Sequence, residues 1–465
     1  MQRLNRGMLR RYEIPEHAPS EIRAVQFGLG EALLGVADRL LDAACPSLGI
    51  ACVPPEGAWT GEGANPAELL REQEGLYTLL VRGYRGDTPV KDEVVVQSIL
   101  CVADDVDALA PAPALALGLL DTEAADFHAC LNRAARLLAA RQVAGLSGLW
   151  MLCLGEDAGC ADRARDALAA LSPGDGFARW LRESCHFCPA LADGLAFRAE
   201  AKEAARQCAV MNYADGMLHL AEPCAALTIQ APAGLRTLLP VNDGGGIDIV
   251  DDLSPVLNQK RRAFDAGLFA MAAPGWLLGC NTLSDCMKHE RLRDFVGRCY
   301  AEELLPADPE ARAALAPRVI QAFERFENPL NDNAILPSVR PLLGRFRRAA
   351  LPIIRAWADE RFEPPRRLSF ALAATIMLYA GARPNARGRY EVYRGAQVFT
   401  LEDDPGALAV FATLSHDMPP EALAYAALAD RELWQGEDLR QIDGLEARVA
   451  LDIANLQRRP DYLPE

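Results

Sequence analysis

The chain has no run near the roughly 18 uninterrupted apolar residues of a membrane span, and its arginine-rich start, MQRLNRGMLRRY, lacks the apolar stretch of an export signal. A cytoplasmic protein is expected. Positive charge is also scarce: 48 Lys and Arg stand against 64 Asp and Glu, a formal net charge of −16. That excludes a broad surface for nucleic acid or anionic membrane, which needs a positive field to release counterions. Small molecules remain as partners, and an acidic one needs a local cluster of Arg or Lys that overrides the global field. No disulfide or zinc framework is visible either. The thirteen cysteines are odd in number and irregularly spaced, so they read as reduced core residues, and Cys185-x-x-Cys188 has no second pair to complete a metal site. Repeats and low-complexity segments are absent.

What is present is apolar material for large cores: 465 residues, 51% hydrophobic, enough for two domains. Glu21 to Phe27 (EIRAVQF) reads as a strand, Gly28-Leu-Gly30 as a turn and Glu31 to Ala44 as a helix. Such a turn lets the backbone approach a pyrophosphate at a helix N-terminus. The third glycine of G-x-G-x-x-G is missing, since Leu33 stands there, and Glu31 places a carboxylate in the first helical turn. Further strands are expected at Leu48 to Val53, Leu79 to Arg82, Ala114 to Leu120 and Leu149 to Leu154. Glu56 lies where a dinucleotide fold presents an acid to the adenosine ribose. After Ala114 to Leu120, Thr122 or Asp121 is placed to cap a helix running through His128 to Ala140.

The Gly244–Gly246 run marks the expected boundary between an α/β Rossmann-like domain, 1–248, and an all-α domain, 249–465. In the second domain apolar residues recur at helical spacing, notably Phe264, Leu268 and Met271, with Pro274 and Gly275 expected to stop that helix. Three prolines should interrupt Ile335 to Phe362, and Asn385 to Gln397 reads as a surface loop. Lys260 opens the Phe264 helix and is the catalytic candidate. A lysine serves as a base near neutrality when burial or neighbouring cations lower its pKa, and Arg261 and Arg262 adjoin it. The plain alternative is a solvated cation at a helix start.

Val250-Asp251-Asp252 followed by Pro255 and Lys260 resembles the lysine-bearing segment of the polyol-specific long-chain dehydrogenases, the mannitol dehydrogenase family. The likeness continues in order through Leu4-Asn5-Arg6, Gln26-Phe27-Gly28, Gln73 to Arg82, Thr122-Glu123-Ala124, Arg325-Phe-Glu-Asn-Pro329 and Leu368 to Ala373, and it leans towards the tagaturonate reductase, or altronate oxidoreductase, branch. The resemblance implies an NAD-dependent oxidoreductase interconverting a keto sugar acid or polyol with its partner, Gly28, Gly30, Thr122 and Glu123 beside the cofactor, and Lys260 moving the proton. It also implies positions at which this chain departs. Leu34 stands where the cofactor loop has arginine, and Asn333 where a histidine is common. Asp265 and Leu268 replace an asparagine and a histidine on the lysine helix, and Gly155 to Cys160 lacks the asparagine of an oxyanion site. Asp265 would pair with Lys260 or, at i−4, with Arg261. Three readings stand on the sequence: an oxidoreductase with an altered site, a catalytically silent regulator that binds a sugar acid or nucleotide, and a structural or partner-binding protein.

Overall fold

The computed structural model describes the chain apart from residues 18, 58, 60–62, 87, 172–174, 240–244, 307, 329–333 and 465. Gly244, Pro329 and Asn333, singled out above, lie outside the described residues. The chain divides into two compact units, Met1–Leu257 and Asn258–Glu465.

The first unit is built on an eight-stranded sheet of β1 (Ile22–Phe27), β2 (Gly49–Val53), β3 (Ile99–Val102), β4 (Leu117–Asp121), β5 (Trp150–Leu154), β6 (His186–Asp193), β7 (Ala226–Gln230) and β8 (Ile247–Val250). Its order is β8-β7-β6-β5-β4-β1-β2-β3, and every pair from β3 to β6 is parallel. The six parallel strands therefore follow 3-2-1-4-5-6, the order of dinucleotide-binding folds. Both faces are covered, which explains why these strands read as continuous apolar runs. Along β5, Leu152 and Leu154 enter one core, while Met151 and Cys153 enter the other. Each such side chain, fully buried, contributes about 1.5–3 kcal/mol.

A second sheet runs Ala196–Arg198, His219–Ala221, Tyr77–Arg85, Thr88–Val96. The Gln73 to Thr78 string that feeds it is a buried polar knot. Gln73 donates to Asp215 Oδ1 at 2.7 Å, the Thr78 N–H donates to Asp215 Oδ2 at 2.6 Å, and Gly75 turns at φ +82° against the Ile99 carbonyl. All thirteen cysteines are free, and all but Cys101 and Cys224 are buried. Among the described residues, no cluster of three or more His, Cys, Asp or Glu is arranged to hold a metal, and no helix is long and apolar enough to cross a membrane.

The second unit is helical with one exception. Arg383–Pro384, Tyr390–Arg394 and Gln397–Leu401 form a three-stranded antiparallel sheet across the stretch read as a surface loop. The sheet turns at Gly395, φ +61°, and buries Val392 and Leu401, so local alternation on a short hairpin was masked by polar neighbours. The helix expected to stop at Pro274 instead runs Ala266–Leu277. Pro274 sits inside this helix and forgoes the hydrogen bond to the carbonyl four residues back, while Gly275 admits Cys286 Sγ, which a Cβ would meet at 2.4 Å. Ile335 to Phe362 is interrupted as expected, into Ile335–Val339, Leu342–Arg345, a π-helical turn at Phe346–Ala350, and Leu351–Arg361.

Gly267 lies against Tyr300, whose hydroxyl donates to the Ala263 carbonyl at 2.6 Å; an added Cβ would fall 1.8 Å from that hydroxyl. Gly267→Ala is expected to lower the unfolding free energy by about 1–3 kcal/mol, the usual cost of overpacking. A denaturation midpoint equal to that of the parent would refute this contact.

Candidate functional site

In the first unit, the glycine turn leaves the C-terminal end of β1, beside β4 and at the point where strand order reverses. This is where doubly wound sheets bind their ligands. Gly28 has φ +104°, a conformation costly for other residues, and its N–H donates to the Val53 carbonyl at 2.9 Å. A Cβ on Gly30 would lie 3.2 Å from Asp121 Oδ2, so this glycine admits the carboxyl that ends β4. Glu31 begins the helix, whose next segment, Ala32–Ala37, is π-helical. Leu34, assigned to an arginine position facing phosphate, is only 1% exposed and packs in the core. The π-helical register of this segment, invisible to a 3.6-residue count, goes with that inward placement.

The same edge gathers Thr122, Glu123 and Glu56. Thr122 does not cap the following helix. Both its hydroxyl, at 2.7 Å, and its N–H, at 2.9 Å, donate to the Leu154 carbonyl, which ties β4 to β5. Asp121 Oδ1 accepts the Glu123 N–H at 3.0 Å, and the helix Phe127–Val143 starts at Asp126 without a side-chain cap. Glu56, just beyond β2, accepts from Arg136 Nη1 at 3.3 Å and lies 3.9 Å from Arg133.

Burial pushes the Asp121 carboxyl up to about 6. Behind the turn, Asp38 is fully buried and pushed up to about 8, with Gln26 and Tyr77 donating to it. Because the folded value lies above the ordinary 3.8, the folded chain holds this proton. The associated stability is complete below about pH 4 and is lost as pH rises through about 8. Asp38→Asn, which cannot ionise, should gain thermal stability relative to the parent on going from pH 5 to pH 9. Melting curves that shift in parallel at both pH values would contradict the assignment.

In the second unit, the helix Ser254–Lys260 passes into a π-helical turn at Arg261–Asp265 and then into Ala266–Leu277. The π register accommodates one more residue per turn, so positions 260 and 265, on different faces of a regular α-helix, come together. Lys260 Nζ donates to Asp265 Oδ1 at 3.2 Å and Oδ2 at 3.1 Å. Arg345, eighty residues on, donates its Nη1 to Asp265 Oδ1. The Lys260 and Asp265 side chains are 6% and 5% exposed, which removes the solvated-cation reading of Lys260. Leu268 joins Phe264 and Met271 in the core, while Arg325 stacks on Phe264 with its guanidinium carbon 3.6 Å from the ring centre.

Asp265 is thus a carboxylate held between two cations. Nothing in the sequence near Lys260 signals Arg345, because neither a π turn nor an eighty-residue contact leaves a local pattern. Asp121 went unrecognised at the glycine turn for a related reason: only the parallel pairing of β1 with β4 brings it there. Arg261 and Arg262, the neighbours expected to bias Lys260, line a separate cavity.

No family model matches the chain. It is 24% identical to an altronate oxidoreductase of Bacillus subtilis over 97% of this chain and 95% of that protein. Altronate oxidoreductases of Klebsiella pneumoniae and Cronobacter sakazakii are 29% and 30% identical, over 60% of this chain and 56% of theirs, so this match spans just over half of those relatives. Among solved structures, Pseudomonas fluorescens mannitol 2-dehydrogenase, in a ternary complex with NAD and D-mannitol, superposes with a TM-score of 0.76 at 16% identity, covering 99% of this chain and 98% of that one. A substrate-free D-sorbitol dehydrogenase superposes at 0.67, also at 16% identity, covering 99% of each chain. At these identities the two structures establish the fold.

Proposed function

We propose that the chain, similar at low identity to altronate oxidoreductases and sharing the fold of mannitol 2-dehydrogenase, is an NAD-dependent oxidoreductase of the mannitol dehydrogenase family acting on a sugar acid or polyol, of the tagaturonate/altronate type. The observation that carries this reading is the buried Lys260 ammonium, fixed by Asp265 within a π turn. In the reductive direction Lys260 Nζ gives a proton to the substrate carbonyl oxygen as that carbon receives hydride; in the oxidative direction it takes the alcohol proton back. Asp265 orients the ammonium.

The first unit fits a dinucleotide at its glycine turn. The strand order and the positive φ of Gly28 support Gly28 and Gly30 as the pyrophosphate contact. Glu56 would receive the adenosine ribose, and Thr122 and Glu123 would border the nicotinamide end. When bound, the nicotinamide supplies or accepts the hydride. Asp121 and Glu31 make this loop more acidic than a phosphate-binding turn requires, so affinity is expected to improve as Asp121 becomes protonated below about pH 6.

NADH titration followed by cofactor fluorescence, then NADH oxidation with tagaturonate, fructuronate and fructose, tests the reading. Saturable NADH binding and turnover of at least one of these carbonyl compounds are expected. NADH binding without turnover of any of them, or no binding at all, overturns it.

A further inference from the structure

The two helices that follow the Lys260 turn meet at a pair of thiols that the proposed chemistry does not use. Helix Ala266–Leu277 ends in a reversal closed by two backbone bonds: the Gly279 N–H donates to the Trp276 carbonyl and the Cys280 N–H to the Gly275 carbonyl, both at 3.0 Å, with Gly279 at φ +91°. This pattern folds the residue after the turn back over the last helical turn, so Cys280 returns to Gly275. Thr282 then starts the helix Leu283–Lys288 with a capping box. Its hydroxyl accepts the Asp285 N–H at 3.1 Å, and Asp285 Oδ2 accepts the Thr282 N–H at 3.1 Å. That fixes the first turn of the new helix, and with it Cys286, whose Sγ occupies the space a side chain at Gly275 would fill. The two caps thus bring both sulfurs to one place, where the Cys286 thiol is hydrogen-bonded to that of Cys280.

The pair is chemically unequal. Cys286 is fully buried, while Cys280, 8% exposed, is the sulfur nearer solvent. Arg394 donates its Nη1 to the Cys280 carbonyl at 2.8 Å and to that of Trp276 at 3.0 Å, which keeps a guanidinium charge next to Cys280. The hydrogen bond from Cys286, helped by Arg394, lowers the Cys280 thiol below its ordinary value against burial and the Asp285 carboxylate. The same bond, together with burial, pushes the Cys286 thiol up, and burial pushes up that of Cys101. The thiolate is the nucleophile, so Cys280 is the reactive sulfur and Cys286 stays protonated beside it. A nucleophilic sulfur with a second thiol in contact is the arrangement of a redox-sensing pair.

We propose that Cys280 and Cys286 form an oxidation site for hydroperoxides, with Cys280 as the attacking sulfur and Cys286 as the resolving one. The Cys280 thiolate attacks a hydrogen peroxide oxygen: an S–O bond forms, the O–O bond breaks, and hydroxide leaves and takes a proton to become water. The Cys286 sulfur then attacks the Cys280 sulfur: the S–S bond forms, the S–O bond breaks, and the hydroxyl departs as water with the Cys286 proton. Two thiols and one peroxide become a disulfide and two waters. The disulfide ties the end of helix Ala266–Leu277 to the helix after it, and its formation does not depend on the chain's being an oxidoreductase.

The test is mass spectrometry of the full chain, reduced, exposed to hydrogen peroxide, alkylated with iodoacetamide in denaturant and cut with trypsin. Both cysteines fall in one tryptic peptide, residues 263–288. That peptide is expected without alkyl groups and two hydrogens lighter than the dithiol, formed about tenfold faster than Cys101 is oxidised, and alkylated at both sulfurs when dithiothreitol precedes iodoacetamide. In Cys286→Ser, the sulfenic acid on Cys280 should be trapped by dimedone. Cys280→Ser should leave Cys286 unoxidised, and serves if the first variant does not fold. A parent peptide alkylated at both cysteines while Cys101 is oxidised, a folded Cys286→Ser protein without the dimedone adduct, or oxidation of Cys286 at the parental rate in Cys280→Ser overturns the proposal.

Discussion

Asp265→Ala is expected to destabilise the chain by about 3–5 kcal/mol, whereas Lys260→Met should cost much less. The asymmetry follows from the arrangement. Asp265 joins two buried cations, Lys260 and Arg345, whose side chains are 6% and 13% exposed. Deleting it removes the carboxylate that both cations share in a poorly solvated space. Removing Lys260 instead leaves Asp265 still paired with Arg345, while methionine retains most of the apolar stem. Denaturant unfolding followed by tryptophan fluorescence measures both variants. Equal losses for the two would show that the trio is not organised around the carboxylate.

Turnover should respond in the opposite order. Lys260→Met is expected to lower kcat by about 10²–10⁴, the range for loss of a positioned acid-base group, while NADH affinity stays within about twofold because the proposed cofactor contacts lie in the first unit. Both effects are read from one preparation, which separates a chemical role from a folding defect. A Lys260→Met protein that binds NADH and turns over at the parental rate removes Lys260 from the mechanism. In that case Arg345, the other cation on Asp265, becomes the group to examine.

Strands β1, β2, β4 and β5 and the glycine turn were legible because each strand is a short apolar run bounded by breakers, whereas β3 and β6 were not among the strands expected; helical spacing dominates after β8. Two expectations failed on local grounds. Pro274 reads as a stop, but a proline costs one hydrogen bond to the residue four back without preventing the residues after it from staying helical, and the helix runs on to Leu277. Asn385 to Gln397 reads as a loop because the two hairpin strands bury only Val392 and Leu401, leaving too weak an apolar alternation to mark strands.

At the candidate site the sequence determined which groups were available: Gly28 and Gly30 after a strand, Lys260, and Asp265 and Leu268 in place of an amide and a ring; the helix expected to open at Lys260 instead begins at Ser254. The sequence also limited an anionic ligand to a local basic cluster, since the total charge is strongly negative. Only the tertiary structure decided what those groups do to one another. The pairing of β1 with β4 brings Asp121 to the glycine turn, the π register turns Asp265 towards Lys260 and Leu34 into the core, and the packing of a helix eighty residues away delivers Arg345. Periodicity reports the face a residue occupies on an ideal helix or strand, whereas ion pairing at this site depends on a departure from ideal register and on a contact between distant segments, neither of which is encoded in local spacing.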